Sequence, residues 1–346
     1  MKAAVMDAFC TPLEIRDMPD PTPTDDGVVI EVRANGICRS DWHAWMGHDL
    51  TIKLPHVPGH EMAGVIAAVG NRVRNWHVGD RVTVPFCEGC GVCHQCQAGK
   101  HHICDNEYQP GFTGWGAFAQ YVAIPYADAN VVGLPDDLDY IAAASLGCRF
   151  MTAFRGVVDQ GRVTGGDWVV IHGCGGVGLS ATMIASALGA YVIGVDINDA
   201  KLTLAQEQGA KMVLNAELSP DVAEDIITMT RGGADISIDA LGSKVTSRNS
   251  IRCLRKQGRH VQIGLTIADE ADVSIPMNEV IARELEIVGR HGMPAHRYDA
   301  LLRMISSGVL HPKQLVRKTI SLEEAGVELE AMGQFSQAGV TVIDRF

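Results

Sequence analysis

The chain has 346 residues and carries 41 acidic against 29 basic side chains, a formal net charge of −12. That excess speaks against nucleic-acid backbones and anionic membranes as partners, since both demand a basic footprint. Hydrophobic residues at 47% and charged ones at 20% exclude a disordered chain, a collagen and a coiled coil, and the length suggests two domains.

The first residues, Met1 to Pro19, place Asp7 inside any would-be apolar segment and offer no small-residue cleavage site. A cytoplasmic protein is expected, in which ten cysteines read as metal ligands or buried thiols rather than disulfides. Residues 1 to about 150 read as β-rich and turn-rich. After a Pro/Asp-rich connection over Asp17–Gly27, the spacing predicts strands over Val28–Ile37, Met62–Val69, Arg81–Phe86 and Phe118–Ile124.

Beyond residue 150 strands alternate with helices. Strands are expected at Trp168–His172, Tyr191–Asp196, Met212–Leu214, Ile236–Asp239, Arg259–Ile263 and Leu285–Gly289, with helices such as Asp199–Gln208, Pro220–Arg231 and Lys244–Leu254 between them. Six strands with helical crossovers imply an α/β doubly wound parallel sheet. From Trp168 to Val195 there are 28 residues without Asp, Glu, Lys or Arg, long enough to span a bilayer. Six glycines break that run, so it reads as a buried strand–helix–strand of a soluble sheet. The tail from Arg290 carries an expected helix at Tyr298–Ser307 and a closing strand at Gly339–Ile343.

The strand at Val169–His172 runs into Gly173-Cys174-Gly175-Gly176-Val177-Gly178 and then a helix from about Val177 to Leu188. In that context the first glycine permits the tight turn, the second lets a pyrophosphate approach the backbone, and the third lets helix and strand pack closely. The next strand ends in Asp196, 18 residues past Gly178, where a carboxylate accepts ribose hydroxyls and repels a 2′-phosphate. NAD is therefore expected over NADP, with Lys201 placed to reach the same ribose.

Four cysteines follow at Cys90, Cys93, Cys96 and Cys104, dense enough to converge on one tetrahedral Zn²⁺. Cys87 offers a competing register, so spacing alone does not name the four. Cys38, His60 and Cys148 are dispersed, and spacing does not assemble them.

The run Gly59-His60-Glu61-x2-Gly64-x5-Gly70-x2-Val73 resembles the signature of zinc-containing alcohol dehydrogenases of the medium-chain dehydrogenase/reductase family, as does Cys38-Arg39-Ser40-Asp41-x-His43. The resemblance spans essentially the whole chain. It implies a Rossmann six-stranded sheet over 151–289 and a β-rich GroES-like catalytic domain over 1–150, to which residues 290–346 return. It implies two zinc ions per subunit, one structural on Cys90, Cys93, Cys96 and Cys104, one catalytic on Cys38, His60 and Cys148. Glu61 stands close enough in sequence to approach the catalytic metal.

Ser40 is implied to bind the reacting alcohol oxygen and pass its proton through the coenzyme ribose to His43. Asp41 is implied to hold the His60 ring, and Arg39 to contact the coenzyme pyrophosphate. Phe86 matches a position that lines the alcohol pocket in relatives, and Trp45 and Trp115 lie in loops that could face it. The implied activity is NAD-linked interconversion of primary or secondary alcohols and their aldehydes or ketones; the alternatives are a polyol or amino-alcohol dehydrogenase on the same scaffold, or a non-catalytic protein that binds NAD and zinc. The implied assembly is a homo-oligomer, a tetramer rather than a dimer, with Glu284–Gly289 as an interface strand.

Overall fold

The computed structural model describes residues 1–334 and 338–346. They divide into two units, one of Met1–Met151 with Gly292–Phe346 and one of Thr152–His291.

The first unit is organised around the ten-residue strand Val28–Ile37, buried along nearly its whole length. It pairs antiparallel with Glu61–Val69, Tyr121–Ile124 and Val340–Arg345. The last of these pairs in parallel with Val316–Ser321, and Arg81–Thr83 and Val132–Gly133 extend the other edge. Val28, Ile30, Val32, Met62 and Ile66 form the apolar centre. The pairing matters for function: Gly36 lies opposite Glu61, so Cys38 and His60 leave the sheet at the same end of two neighbouring strands. A Cβ on Gly36 would sit 2.2 Å from Glu61 Oε2 and 2.8 Å from Arg149 Nη2, so any larger residue there would have to displace these two side chains.

Two expected strands are shorter than their β-branched patterns suggest. Arg81–Phe86 stops at Thr83, because Pro85 has no amide to donate and the Phe86 amide turns to Gly147 O at 3.3 Å. Phe118–Ile124 begins at Tyr121, because the Ala117 and Phe118 amides bond to Gly59 O and Pro58 O instead. The hairpin of Lys2–Val5 with Glu14–Asp17 and the strand Val316–Ser321 had no clear alternation to announce them.

In the second unit six parallel strands lie in the order Met212–Asn215, Tyr191–Asp196, Trp168–His172, Ala234–Asp239, Leu254–Gln262, Glu286–Gly289. Chain order reverses at Trp168–His172, so the carboxyl ends of this strand and its neighbours flank the switch point where ligands of such sheets bind. The helices Gly176–Ala187, Asp199–Glu207, Val222–Thr230 and Lys244–Arg252 connect the strands. The last two are shorter than expected. Asp221 caps one start by accepting the Ala223 and Glu224 amides, and Leu254 already belongs to the following strand. No helix among the described residues is long and apolar enough to cross a membrane.

Candidate active site

The helix Arg39–Trp45 starts on Cys38, and its third residue is Asp41, which is wholly buried. Asp41 Oδ2 accepts the Cys38 amide at 2.8 Å, while Oδ1 accepts the Gly59 amide at 3.0 Å and lies 2.8 Å from His60 Nδ1. A buried carboxylate is tolerable only when so satisfied. One side chain thus ties the loop that carries Cys38 to the loop that carries His60.

Cys148 arrives from further along, on the π-helical turn Leu146–Phe150 that follows the helix Tyr140–Ala144. Such wide turns recur at functional sites because they redirect a side chain that a regular helix would aim elsewhere. Its Sγ lies 4.0 Å from Cys38 Sγ, close to the edge of about 3.8 Å that a zinc tetrahedron with 2.3 Å sulfur bonds requires. His60 Nε2 is buried without a hydrogen-bond partner among the described residues. A bare imidazole nitrogen beside two sulfurs, its other nitrogen fixed by a carboxylate, is the donor set of a zinc site with an open position. Ligand atoms of Cys38, His60, Glu61 and Cys148 all lie within 4.8 Å of one another.

The electrostatics agree. The Cys148 hydrogen bond, against the opposing pull of burial, takes the Cys38 thiol well below its usual range, with His60 and Arg149 assisting. The shared proton and burial push Cys148 well above it. Burial alone would lower His60, but the Asp41 charge and hydrogen bond raise it well above the ordinary histidine value. Such a cluster holds protons that a divalent cation displaces.

Glu61 is engaged elsewhere as well. Its Oε1 accepts the Arg149 backbone amide and Nε, each at 3.0 Å, and its Oε2 pairs with Arg149 Nη2. Burial raises the Glu61 carboxyl and the Arg149 charge opposes it. The pair fastens the π turn to the strand that begins at Glu61. Arg149 escaped the sequence reading, although a lone arginine in the apolar stretch after Ile141 signals a buried acceptor.

Ser40 Oγ lies 3.8 Å from Cys38 Sγ. His43 is half-buried, and its Nδ1 is 3.0 Å from Nδ1 of the exposed His48. Burial first, then His48 and Arg39, push the His43 imidazolium down to about 4. The Arg39 guanidinium stacks 4.9 Å over the Trp42 ring. Around His60 stand two aromatic rings, Phe86 at 6.2 Å and Phe112 at 5.2 Å. Phe112 was not anticipated. Trp45 donates its indole N–H to Thr11 O and packs with Met6, Ala44, Ile52 and Phe112, whereas Trp115 is 40% exposed.

The second cysteine set also converges. The sulfurs of Cys90, Cys93, Cys96 and Cys104 all lie within 4.8 Å, with Cys93 to Cys104 at 3.7 Å, and all four are free thiols. Backbone amides, that of Val92 first, lower Cys90 to about 6. Cys87 lies outside this set.

In the parallel sheet the glycine loop shows three separate demands. Gly173 has φ +91°, a left-handed conformation. A Cβ on Gly178 would sit 1.8 Å from Gly173 O, so helix and strand could not approach. A Cβ on Gly175, the cap of helix Gly176–Ala187, would meet nothing within 4 Å among the described residues. That leaves a backbone face open to a phosphate at a helix N-terminus. Asp196 is held beside the loop, its Oδ2 accepting the Cys174 amide at 2.7 Å and its Oδ1 the Asn198 amide at 3.0 Å. Lys201 lies in the first turn of the helix capped by Asn198.

Residues 24–136 match the family described as alcohol dehydrogenase GroES-like domain, and residues 176–307 the one described as zinc-binding dehydrogenase. An NAD-dependent alcohol dehydrogenase of Sulfurisphaera tokodaii is 33% identical over 99% of each chain. An alcohol dehydrogenase of Geobacillus stearothermophilus is 34% identical over 84% of each. The crystal structure of the alcohol dehydrogenase of Aeropyrum pernix superposes with a TM-score of 0.90 at 28% identity, covering 99% of this chain and all of that one.

Fold and site together define a zinc-binding dehydrogenase. The chain belongs to the zinc-containing alcohol dehydrogenases of the medium-chain dehydrogenase/reductase family. It is an enzyme that interconverts alcohols and their carbonyl compounds with NAD.

Proposed function

We propose that the chain oxidises primary or secondary alcohols with an apolar substituent, using a catalytic zinc on Cys38, His60 and Cys148 and a structural zinc on Cys90, Cys93, Cys96 and Cys104. The observation that carries this reading is the bare His60 Nε2 beside the Cys38 and Cys148 sulfurs. Zinc held there supplies a Lewis acid that makes an alcohol hydroxyl acidic near neutral pH, and NAD supplies the hydride acceptor.

This chain's own residues do the remainder. Asp41 fixes the His60 ring so that Nε2 is the free nitrogen. Ser40 takes up the hydroxyl proton, and His43, neutral near pH 7, conducts it toward water. Phe86 and Phe112 form an apolar wall beside His60, which suits an alkyl or aryl substituent better than a polyol. Gly173, Gly175, Gly176, Val177 and Gly178 seat the pyrophosphate, with Arg39 as a second contact. Asp196 and Lys201 hold the adenosine ribose, and the Asp196 carboxylate favours NAD over NADP.

On this reading residues 1–150 with 290–346 form the catalytic domain and residues 151–289 the NAD domain. The subunits form a cytoplasmic homotetramer. The edge position of Glu286–Gly289 in the parallel sheet supports its use as an interface strand.

The test is the initial rate of NAD⁺ reduction with ethanol, longer primary and secondary alcohols, benzyl alcohol and sorbitol, on untreated and chelator-stripped protein. Chelator-sensitive turnover of the apolar alcohols is expected. Turnover of sorbitol alone would overturn the substrate assignment, and silence with zinc and NAD bound would overturn the activity.

A further inference from the structure

The helix Arg39–Trp45 ends in a turn with a definite geometry. The Gly47 amide donates to Ala44 O and the His48 amide donates to His43 O, each at 3.0 Å, and Gly47 has φ +76°. This is the Schellman pattern, whose crossed hydrogen bonds fold the second residue past the helix back over its last turn and usually bring two apolar side chains together. Here the two residues so joined are both histidines. Their Nδ1 atoms are 3.0 Å apart and their ring centroids 5.3 Å apart. The Trp42 ring stands edge-on to both, at 5.0 and 5.9 Å, and walls one side of the pair. His43 is half-buried and His48 exposed.

A 3.0 Å contact between two imidazole nitrogens is a hydrogen bond only when one ring donates and the other accepts. The pair is therefore a unit with one proton on the shared axis. We propose that His48 is the terminal proton carrier of the alcohol oxidation, receiving the proton from His43 across this axis and releasing it to water. The proposal rests on the reading above that His43 carries the proton outward.

The step balances simply. Protonated His43 loses the proton on Nδ1 as an N–H bond forms on His48 Nδ1, with no electron transferred, and cationic His48 then gives a ring proton to water. Arg39 and the Cys38 thiolate are the other charges acting on His43. The helix Ala325–Ala331, packed against this one, carries Glu328, which is bound to Lys318 and Thr341. His48 is accordingly the base that the geometry offers at the outer end.

The decisive variant is His48→Asn, which keeps a hydrogen-bonding group near the Nδ1 position and carries no proton. Alcohol oxidation by wild type, His48→Asn, His43→Gln and the double variant would be followed from about pH 6 to about pH 9. The expected result is a kcat about 10-fold below wild type at the acid end for His48→Asn, less than the roughly 100-fold typical of losing a whole acid–base group, with convergence at the alkaline end. The hindered base 2,6-lutidine should restore the loss, and the double variant should be no slower than His43→Gln.

A second readout needs no turnover. In the metal-stripped protein, nitrogen-15 histidine spectra should show one of the two Nδ1 atoms protonated and the other bare. Equal rates for His48→Asn and wild type at every pH, no rescue by the base, or additive losses in the double variant would each overturn the proposal, as would two independently titrating Nδ1 atoms. Wild type that oxidises alcohols while His48→Asn is unimpaired removes only the His48 assignment. Wild type that oxidises none removes the parent reading as well.

Discussion

Asp41 Oδ1 lies 2.8 Å from His60 Nδ1, and the two residues are the most completely buried polar pair of the site. Because the same carboxylate also accepts the Cys38 amide, the positions of two donors depend on one side chain. Asp41→Asn keeps the shape and removes the charge that aligns the ring. Affinity at the catalytic site should fall by about 10- to 100-fold while the Cys90 site keeps its metal. Metal analysis after graded chelation checks this, and an unchanged stoichiometry would count against it.

His43→Gln should slow turnover by on the order of 100-fold at acid pH, where delivery of a proton to solvent is hardest, and far less at alkaline pH. Zinc content should be unchanged. Loss of metal in this variant would make His43 a structural residue instead.

Gly175 and Gly178 separate binding from folding. Gly175→Ala adds a methyl in open space at φ −79°, so its melting temperature should match wild type while the KM for NAD rises about 10-fold or more, by obstructing the pyrophosphate. Gly178→Ala drives a Cβ into Gly173 O and should be unstable before any coenzyme is added. Calorimetry beside NAD titration distinguishes the two, and matched stabilities would be inconsistent with the close packing.

Arg149→Leu leaves the Glu61 carboxylate buried without its partner, and such uncompensated charges cost about 3–5 kcal/mol. Glu61→Gln with Arg149→Met should recover most of that loss, because no charge is then stranded. Urea unfolding of the three proteins is the measurement, and a double variant as weak as Arg149→Leu would refute the ion-pair explanation.

His172, at the end of the central parallel strand, is buried 3.8 Å from Cys253 Sγ. Burial pushes its imidazolium down to about 4, with Asp239 opposing and His260 assisting. The unfolded chain binds this proton at about 6.5. Between those values only the unfolded state is protonated, so the contribution is full above about pH 6.5 and is lost as pH falls toward 4, about 3 kcal/mol in all. His172→Asn should flatten that decline in urea midpoints measured at pH 5 and pH 7.5. Parallel declines would show that His172 is not the group responsible.

The alternation of apolar strands and helices after residue 150 was readable because parallel strands covered on both faces leave continuous apolar runs. The glycine loop was readable because each glycine answers a local backbone demand. The edges were less so. Val84 and Phe86 have strand-forming side chains, but Pro85 between them lacks a donor, and hydrogen-bond supply rather than propensity ended the strand. The Glu61–Arg149 pair was invisible as a pair, since its members are separated by 87 residues and meet only when the π turn docks on the strand. Phe112 and His48 were equally unmarked, one reaching His60 across a loop and the other folded back by a helix-ending turn.

What the sequence determined by itself was therefore local: the strand–turn–helix unit, a run of closely spaced cysteines within one loop, and the acid that ends the second parallel strand. That Cys38, His60 and Cys148 share one site was implied only by the family resemblance, and it is the tertiary structure that brings them together. Their separations along the chain carry no distance information, and only the pairing of Val28–Ile37 with Glu61–Val69, locked by the buried Asp41 and Glu61 carboxylates, places three distant donors within bonding range of one ion.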